Sequence, residues 1–301
     1  ISMKRNIILM GGKTYIISLP APWIRKYGIK KGDEVDVLEE GSRVVVESGK
    51  NVRGQRVRID ITDSVSAYIW WAINAAYIKG VDEIEVVYSK KEEKVVNEIT
   101  KTLIGFAVTV KKNNSIILKD ISGTATEFDS IFRRIFFMLE CFGKEGLSSA
   151  KSFDWAELKE SKTKDYEINY SVNFCLRYLN KMGYSNYNET SFIYATLLGL
   201  ESFGDEYADL FELISNSRVK LSSDYIRLIE RVNNLFVLYS QIFFKYDKPL
   251  VLELINERYQ LSQKISQLLT KSNKNETLVL SSLKTMVGIL FNLAESKHVT
   301  I

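Results

Sequence analysis

Carboxylates are the side chains with most scope for chemistry in this sequence. In LLGLESFGDEYADLF, Glu201, Asp205 and Asp209 recur every four residues. On a helix that spacing lays three carboxylates along one face, within reach of a hard divalent ion of the magnesium kind or a row of such ions. The same row reads equally as an acidic stripe facing water. Catalysis is not expected, and the protein reads as a non-enzyme. The sole histidine, His298, stands three residues from the end, so no Ser/His/Asp or Cys/His arrangement can be assembled. Gly11-Gly12 lies between two strands rather than between a strand and a helix, which excludes a phosphate-cradling loop. Cys141 and Cys175 sit in FFMLECF and VNFCLRY and read as free buried thiols, the usage of a reducing compartment.

The second chemical feature is charge. The chain carries a net +4, but residues 1–58 hold twelve basic and six acidic side chains, an excess of six positive charges, so the remainder is slightly acidic. A basic start on a near-neutral body suits a polyanionic partner. The apolar runs fall well short of the roughly 18 residues that cross a bilayer, and no signal peptide is visible. A cytoplasmic, nucleoid-associated protein without membrane insertion is expected. Ile1 and Ser2 precede Met3, which reads as the initiator.

Three domains are expected to position these groups: 1–50, 53–121 and 124–301. Residues 6–10 and 14–19 read as strands around Gly11-Gly12-Lys13. Pro20 and Pro22 end the ladder, WIRKYG makes a short helix stopped by Gly28, and strands 34–39 and 43–47 flank a turn at Glu40-Gly41. Strands this short cannot close a core alone, so dimerisation by interleaving is expected. Segment 48–55 reads as a linker. The next stretch alternates β-α-β-α-β-β: strand 56–61, a helix over 64–79 capped by Asp63 or Ser64, strand 83–88, a helix over 91–103, and a hairpin around Asn113-Asn114. Its sheet should carry both helices on one face, with one of Trp70-Trp71 on the sheet and the other against a neighbouring domain. Spacings of three and four then predict helices over 126–142, 163–182, 189–217, 221–246, 248–271 and 275–297. The fold class is therefore multidomain α+β. It comprises an N-terminal strand module completed by interleaving in a dimer (a swapped-hairpin β-barrel by the resemblance given below), a small central α/β domain and an all-α six-helix bundle of two three-helix repeats.

The stretch KTYIISLPAPWIRKYGIKKGDEVDVLEEGSRVVV resembles the SpoVT/AbrB swapped-hairpin family, in an archaeal-type variant with Gly-Gly-Lys and then Ser-Leu-Pro. The resemblance rests on Leu19-Pro20, Trp23, Tyr27-Gly28-Ile29 and Lys31-Gly32-Asp33 in that order, and covers about a seventh of the chain. It implies a homodimer that presents basic side chains to double-stranded DNA. By position these are Lys4 and Arg5 before the first strand, Lys13 in the hairpin, and Arg25 and Lys26 on the short helix. Lys30 and Lys31 read as turn residues in water. The hairpin also occurs in antitoxins and in modules that mainly dimerise.

The helical half resembles the PhoU family, two repeats of three long helices, and EFDSIFRRIFFML matches the opening helix of archaeal AbrB–PhoU fusions. That resemblance implies phosphate-linked regulation and a divalent metal, iron or zinc, on Glu/Asp-x-x-x-Asp motifs. Glu201, Asp205 and Asp209 fit best. Elsewhere Asp165 is followed at four by Asn169, the second repeat offers Glu253 and Glu257, and its last helix has only Glu295, so half the acids of a cluster are missing. Three functions stay open: a DNA-binding transcriptional regulator with a sensor or assembly domain linked to phosphate uptake, a protein-interaction regulator of a phosphate transporter, and an architectural DNA-coating protein. A higher oligomer or protein partner of the helical half is compatible with each.

Overall fold

The computed structural model describes residues 4–40, 43–48, 55–122 and 128–298. Most of the 48–55 linker, Gly41 and the helix start at 126 lie outside them. The chain is multidomain α+β, and it divides into two compact units, Ile1–Arg56 and Val57–Ile301.

In the first unit β1 (Ile8–Met10) and β2 (Thr14–Ile16) form an antiparallel hairpin, with Ile8 opposite Ile16. The short helix α1 (Ala21–Lys26) follows, with Pro22 in its first turn. A second hairpin joins β3 (Asp36–Glu40) to β4 (Arg43–Glu47). The two hairpins are separate two-stranded sheets, and the described residues of one chain form no closed barrel. Among the described residues of this unit no apolar side chain is buried. Ile7, Ile8, Leu9, Met10, Tyr15, Ile17, Val37 and Val44 are each more than half exposed.

The second unit opens with β5 (Arg56–Asp60), α2 (Ser66–Ile78), β6 (Glu83–Val87), α3 (Glu93–Thr100), β7 (Phe106–Lys112) and β8 (Ser115–Asp120), in a sheet of order β5-β6-β8-β7. Ile84, Val86, Ile116 and Leu118 alternate onto one face and share a core with Ile69, Ile73 and Tyr77 of α2 and Val96 and Ile99 of α3. Both helices thus cover the same face. The start of α2 differs from expectation: Asp63 is spent in a left-handed turn at φ 55°, and Val65 begins the helix with no side-chain cap. Trp70 packs on this core, whereas Trp71 is 77% exposed rather than covered by a neighbouring domain. The residues of α2 that reach the helical region are at its other end.

The helical region comprises α4 (Phe128–Ser152), α5 (Trp155–Lys159), α6 (Ser161–Met182), α7 (Thr190–Ser217), α8 (Ser223–Phe244), α9 (Lys248–Leu269) and α10 (Lys274–His298). Helices α4, α6 and α7 pack on one another, as do α8, α9 and α10, and the two groups meet where α10 lies on α7 and α8 on α4. Helix α4 runs ten residues beyond the expected end at 142, and α5 is additional. Gly143 and Gly146, inside this extension, are points where other helices approach closely. A Cβ on Gly146 would collide with the buried Phe211 ring, and Asn233 Nδ2 donates to the Gly143 carbonyl at 2.7 Å while its Oδ1 accepts from Tyr207 Oη–H at 2.8 Å. Helix α10 is long and apolar enough to cross a membrane by length and composition, yet its Val279, Leu283, Met286 and Leu290 are buried in the helical core. The aromatic stripes are core as well, with Phe136 against Phe236, Tyr239, Phe243 and Phe244. Cys175 is buried, Cys141 half-buried, and both are free.

One cation joins the α/β sheet to this region. Arg177 of α6 is 4% exposed. Its Nη1 donates to the carbonyls of Tyr77 and Val81, each at 2.8 Å, and its Nη2 to Asp120 Oδ2 at 2.6 Å. The guanidinium also lies over the rings of Phe106 and Tyr77, at 4.6 and 5.2 Å. Lys181, one helical turn on, reaches both Asp82 and Asp120, and Asn180 Nδ2 donates to the Ile78 carbonyl. Burial pushes the Asp120 carboxyl up. Hydrogen bonds from Lys181, Ser122 and Arg177 outweigh that and hold it well below the usual carboxylate range.

Two substitutions test these joints. Gly146→Ala, which on an open helix surface gains up to about 1 kcal/mol, should instead cost about 1–3 kcal/mol through the Phe211 overlap, read by urea unfolding. Arg177→Ala should cost about 3–5 kcal/mol, because it strands a buried carboxylate and two carbonyls. Hydrogen exchange should show early opening of β8 and the end of α2. Uniform exchange across the unit would refute the joint.

Candidate nucleic-acid interface and an acidic seam

Local chemistry explains how the basic side chains are displayed. Tyr27 N–H closes the last turn of α1 onto Trp23, and Ile29 N–H reaches back to Ile24 across Gly28, whose φ is 59°. This folds Leu19, Trp23, Ile24 and Tyr27 into a half-buried patch, with Trp23 and Tyr27 ring centroids 5.2 Å apart. Arg25 and Lys26 are left exposed on the rest of the helix, Lys26 Nζ lying 5.5 Å from the Tyr27 ring. Lys30 N–H donates to Asp33 Oδ2 at 2.7 Å, and Asp33 N–H to the Lys30 carbonyl. Lys30 and Lys31 thus belong to a tight turn.

Lys4, Arg5 and Lys13 are exposed too, but the hairpin separates them. Lys13 lies in the closed turn of β1–β2, while Lys4 and Arg5 precede β1 at the open end, from which the chain leaves β2 toward α1. Of the exposed apolar residues of the first hairpin, Ile7, Ile8, Leu9 and Met10 lie between these positions in sequence, and Tyr15 follows Lys13 on β2.

The expected metal row does not form a ligand set. Among the described residues no group of three or more His, Cys, Asp or Glu side chains could hold a metal ion. Glu201, Asp205 and Asp209 are each a helical turn apart on α7, about 6 Å of axis. The facing helix α6 supplies one acid, Asp165, and an amide, Asn169. In the second helical group Glu257 is taken by Arg231 at 2.6 Å.

What the two helices build is an acidic seam. Asp165 is 7% exposed, and Asn169 Nδ2 donates to its Oδ2 at 3.1 Å. Its Oδ1 has no protein donor among the described residues, and the acids of α7, Asp205 first, act on it across the seam. Burial, and then the charges of Asp205 and Glu201, push the Asp165 carboxyl up to about 7. Glu201 is raised by burial and by Asp205, and Asp205 by burial and by Asp209 against hydrogen bonds from Asn169 and Asp165. Burial and like charges thus act together to favour the protonated form along the seam.

The family model that matches the chain is the antidote-toxin recognition domain of MazE, a bacterial antitoxin, over residues 8–54. No curated protein and no solved structure matches the chain. Residues 8–54 are therefore similar to MazE-type antitoxin domains, and the first hairpin, the short helix and the second hairpin all lie within that stretch.

The seam makes a signed prediction. Asp165 is raised above its unfolded value, so its contribution is fully present below about pH 4 and is lost as pH rises through about 7. Asp165→Asn keeps the hydrogen bonds and removes the charge. It should flatten the stability profile between these limits and raise stability at pH 8 by about 1–3 kcal/mol, a Tm gain of several degrees. A variant less stable than the parent at pH 8 would mean the ionised seam is itself favourable.

Proposed function

We propose that the protein is a homodimeric, DNA-binding transcriptional regulator without catalytic activity, cytoplasmic and nucleoid-associated. Its N-terminal unit reads DNA, and its helical region senses a signal or assembles the complex. The observation that carries this reading is that a unit similar to MazE-type domains, with basic side chains on α1 and at both ends of its first hairpin, buries no apolar side chain among its described residues. Burying the exposed halves of its eight apolar side chains against a second copy would contribute on the order of 10 kcal/mol, which supports a swapped-hairpin barrel shared by two chains. Lys4, Arg5, Lys13, Arg25 and Lys26 are the proposed phosphate contacts. Such contacts supply affinity and salt dependence rather than sequence choice.

The finer reading is a PhoU-like bundle linked to phosphate uptake. Its support is the resemblance in EFDSIFRRIFFML and LLGLESFGDEYADLF, with which the packing of α4, α6, α7 and of α8, α9, α10 is compatible. The name of the matched family favours a second reading, recognition of a toxin protein through the same unit.

Fluorescence anisotropy of the full chain on a promoter duplex and a random duplex, across a salt series, tests the DNA reading. Binding should appear only at concentrations where sedimentation shows a dimer. Lys13→Ala and Arg25→Ala should each weaken it and lower the salt slope by roughly 0.9 for each phosphate that the variant leaves unneutralised. Equal affinity for both duplexes would favour coating over regulation. No binding to either at low salt would leave protein recognition as the function.

A further inference from the structure

Outside both sites, the turn between α4 and α5 and the end of α7 line an open cleft of about 810 Å³, a volume that suits a small organic ligand. Among the described residues the non-glycine residues with positive φ are Asp63, Phe153 and Arg218, and the last two stand on this cleft. A phenylalanine at φ 60° and an arginine at φ 47° each cost conformational energy. Strain of that kind persists where the surroundings impose it, commonly at ligand sites. Ser215 Oγ–H donates to the Trp155 carbonyl at 2.8 Å, fixing α5 on α7.

The groups presented there are complementary to one chemical class. Phe153 and Trp155 form an aromatic pair with centroids 5.8 Å apart, and Phe153 is 44% exposed. Arg218 and Lys159 line the same cleft, and Lys220 Nζ lies 5.5 Å from the Phe153 ring. Nearby lysines are neutralised: Lys151 by Glu230, Lys162 by Glu212, Lys164 by Glu145 and Glu157. Lys159, Arg218 and Lys220 have no carboxylate partner among the described residues. Asp154, the acid of the lining, accepts the Glu157 N–H at Oδ1 (3.0 Å), and its second oxygen has no protein donor among the described residues.

We propose that this cleft binds a nucleotide. The base stacks on the exposed Phe153 ring, with the tilted Trp155 ring beside it, the phosphates pair with Arg218 and Lys159, and Asp154 accepts from the ribose hydroxyls. Inorganic phosphate would engage the cations alone and leave the aromatic pair in water. A neutral nucleoside would leave the cations unused.

Calorimetric titration of the full chain with adenosine, inorganic phosphate, AMP and ATP, without divalent metal, tests the proposal. Affinity should rise from adenosine through AMP to ATP, and each nucleotide should bind more tightly than phosphate. Arg218→Gly removes the charge while suiting the left-handed backbone, so its Tm should equal or exceed the parent's while ATP binding falls roughly tenfold or more. Phe153→Gly, matched to its backbone in the same way, should lower the affinity for ATP and leave any weak phosphate binding alone. The proposal is overturned by any of three results: no nucleotide binding up to millimolar concentration, phosphate binding as tight as ATP, or ATP binding by Arg218→Gly at the parent's affinity.

Discussion

The second unit depends on a single buried guanidinium. Arg177 is carried on a helix of the all-α region, but the polar groups it pairs with belong to the sheet segment: two carbonyls around the end of α2 and the carboxylate that ends β8. Burying an isolated charge is prohibitively costly. The arginine is therefore stable only when the sheet is docked, and the sheet's Asp120 draws on it together with Lys181 and Ser122. Each side holds the other's charge, and this mutual requirement turns two segments that read as separate domains into one unit from Val57 onward. Lys181 and Asn180 widen the joint along one face of α6.

The N-terminal unit follows the opposite logic. It has turn chemistry, two well-registered hairpins and a capped helical turn, so its local structure is specified. Among its described residues, however, no apolar side chain is buried, and those of the first hairpin stand largely exposed. Local order of this kind is completed in the proposed homodimer, where a second identical chain would supply matching hydrogen-bond edges and apolar residues.

Legibility from sequence followed the same division. The hairpins could be read because Gly11-Gly12, Pro20, Pro22, Gly28 and Gly32 act through backbone conformation, which is local. The β-α-β-α-β-β order was legible for the same reason. The continuation of α4 past 142 was not legible, because Gly143 and Gly146 there admit Tyr207 and Phe211 from another helix, which periodicity cannot express. Asp63 was expected as a cap, yet the left-handed turn took it. The acid row at Glu201, Asp205 and Asp209 was visible as spacing, but its chemistry was decided by Asp165, which arrives buried on α6 and makes the stripe one side of an acidic seam. Arg177 left no mark in the pattern of FCLRYLNKM, where it reads as one more surface cation. Only the distant Asp120 reveals it. The cations of the cleft were hidden likewise, since Lys159 and Arg218 are far apart in sequence.

The two units also differ in how their stability responds to concentration. A domain with its own core, such as the one held by Arg177, unfolds with a free energy independent of how many chains surround it. A unit that completes its core from a second copy folds by a second-order process, and its folded fraction rises with chain concentration. If the basic side chains are displayed for DNA only in the paired form, then the chain can be abundant, folded over most of its length and still silent on DNA below the dimerisation threshold. Any ligand or modification of the larger unit that alters pairing by 1–2 kcal/mol would move that threshold about five- to thirty-fold. Control of such a protein therefore needs no rearrangement of the DNA-reading residues, only a change in how readily two chains meet.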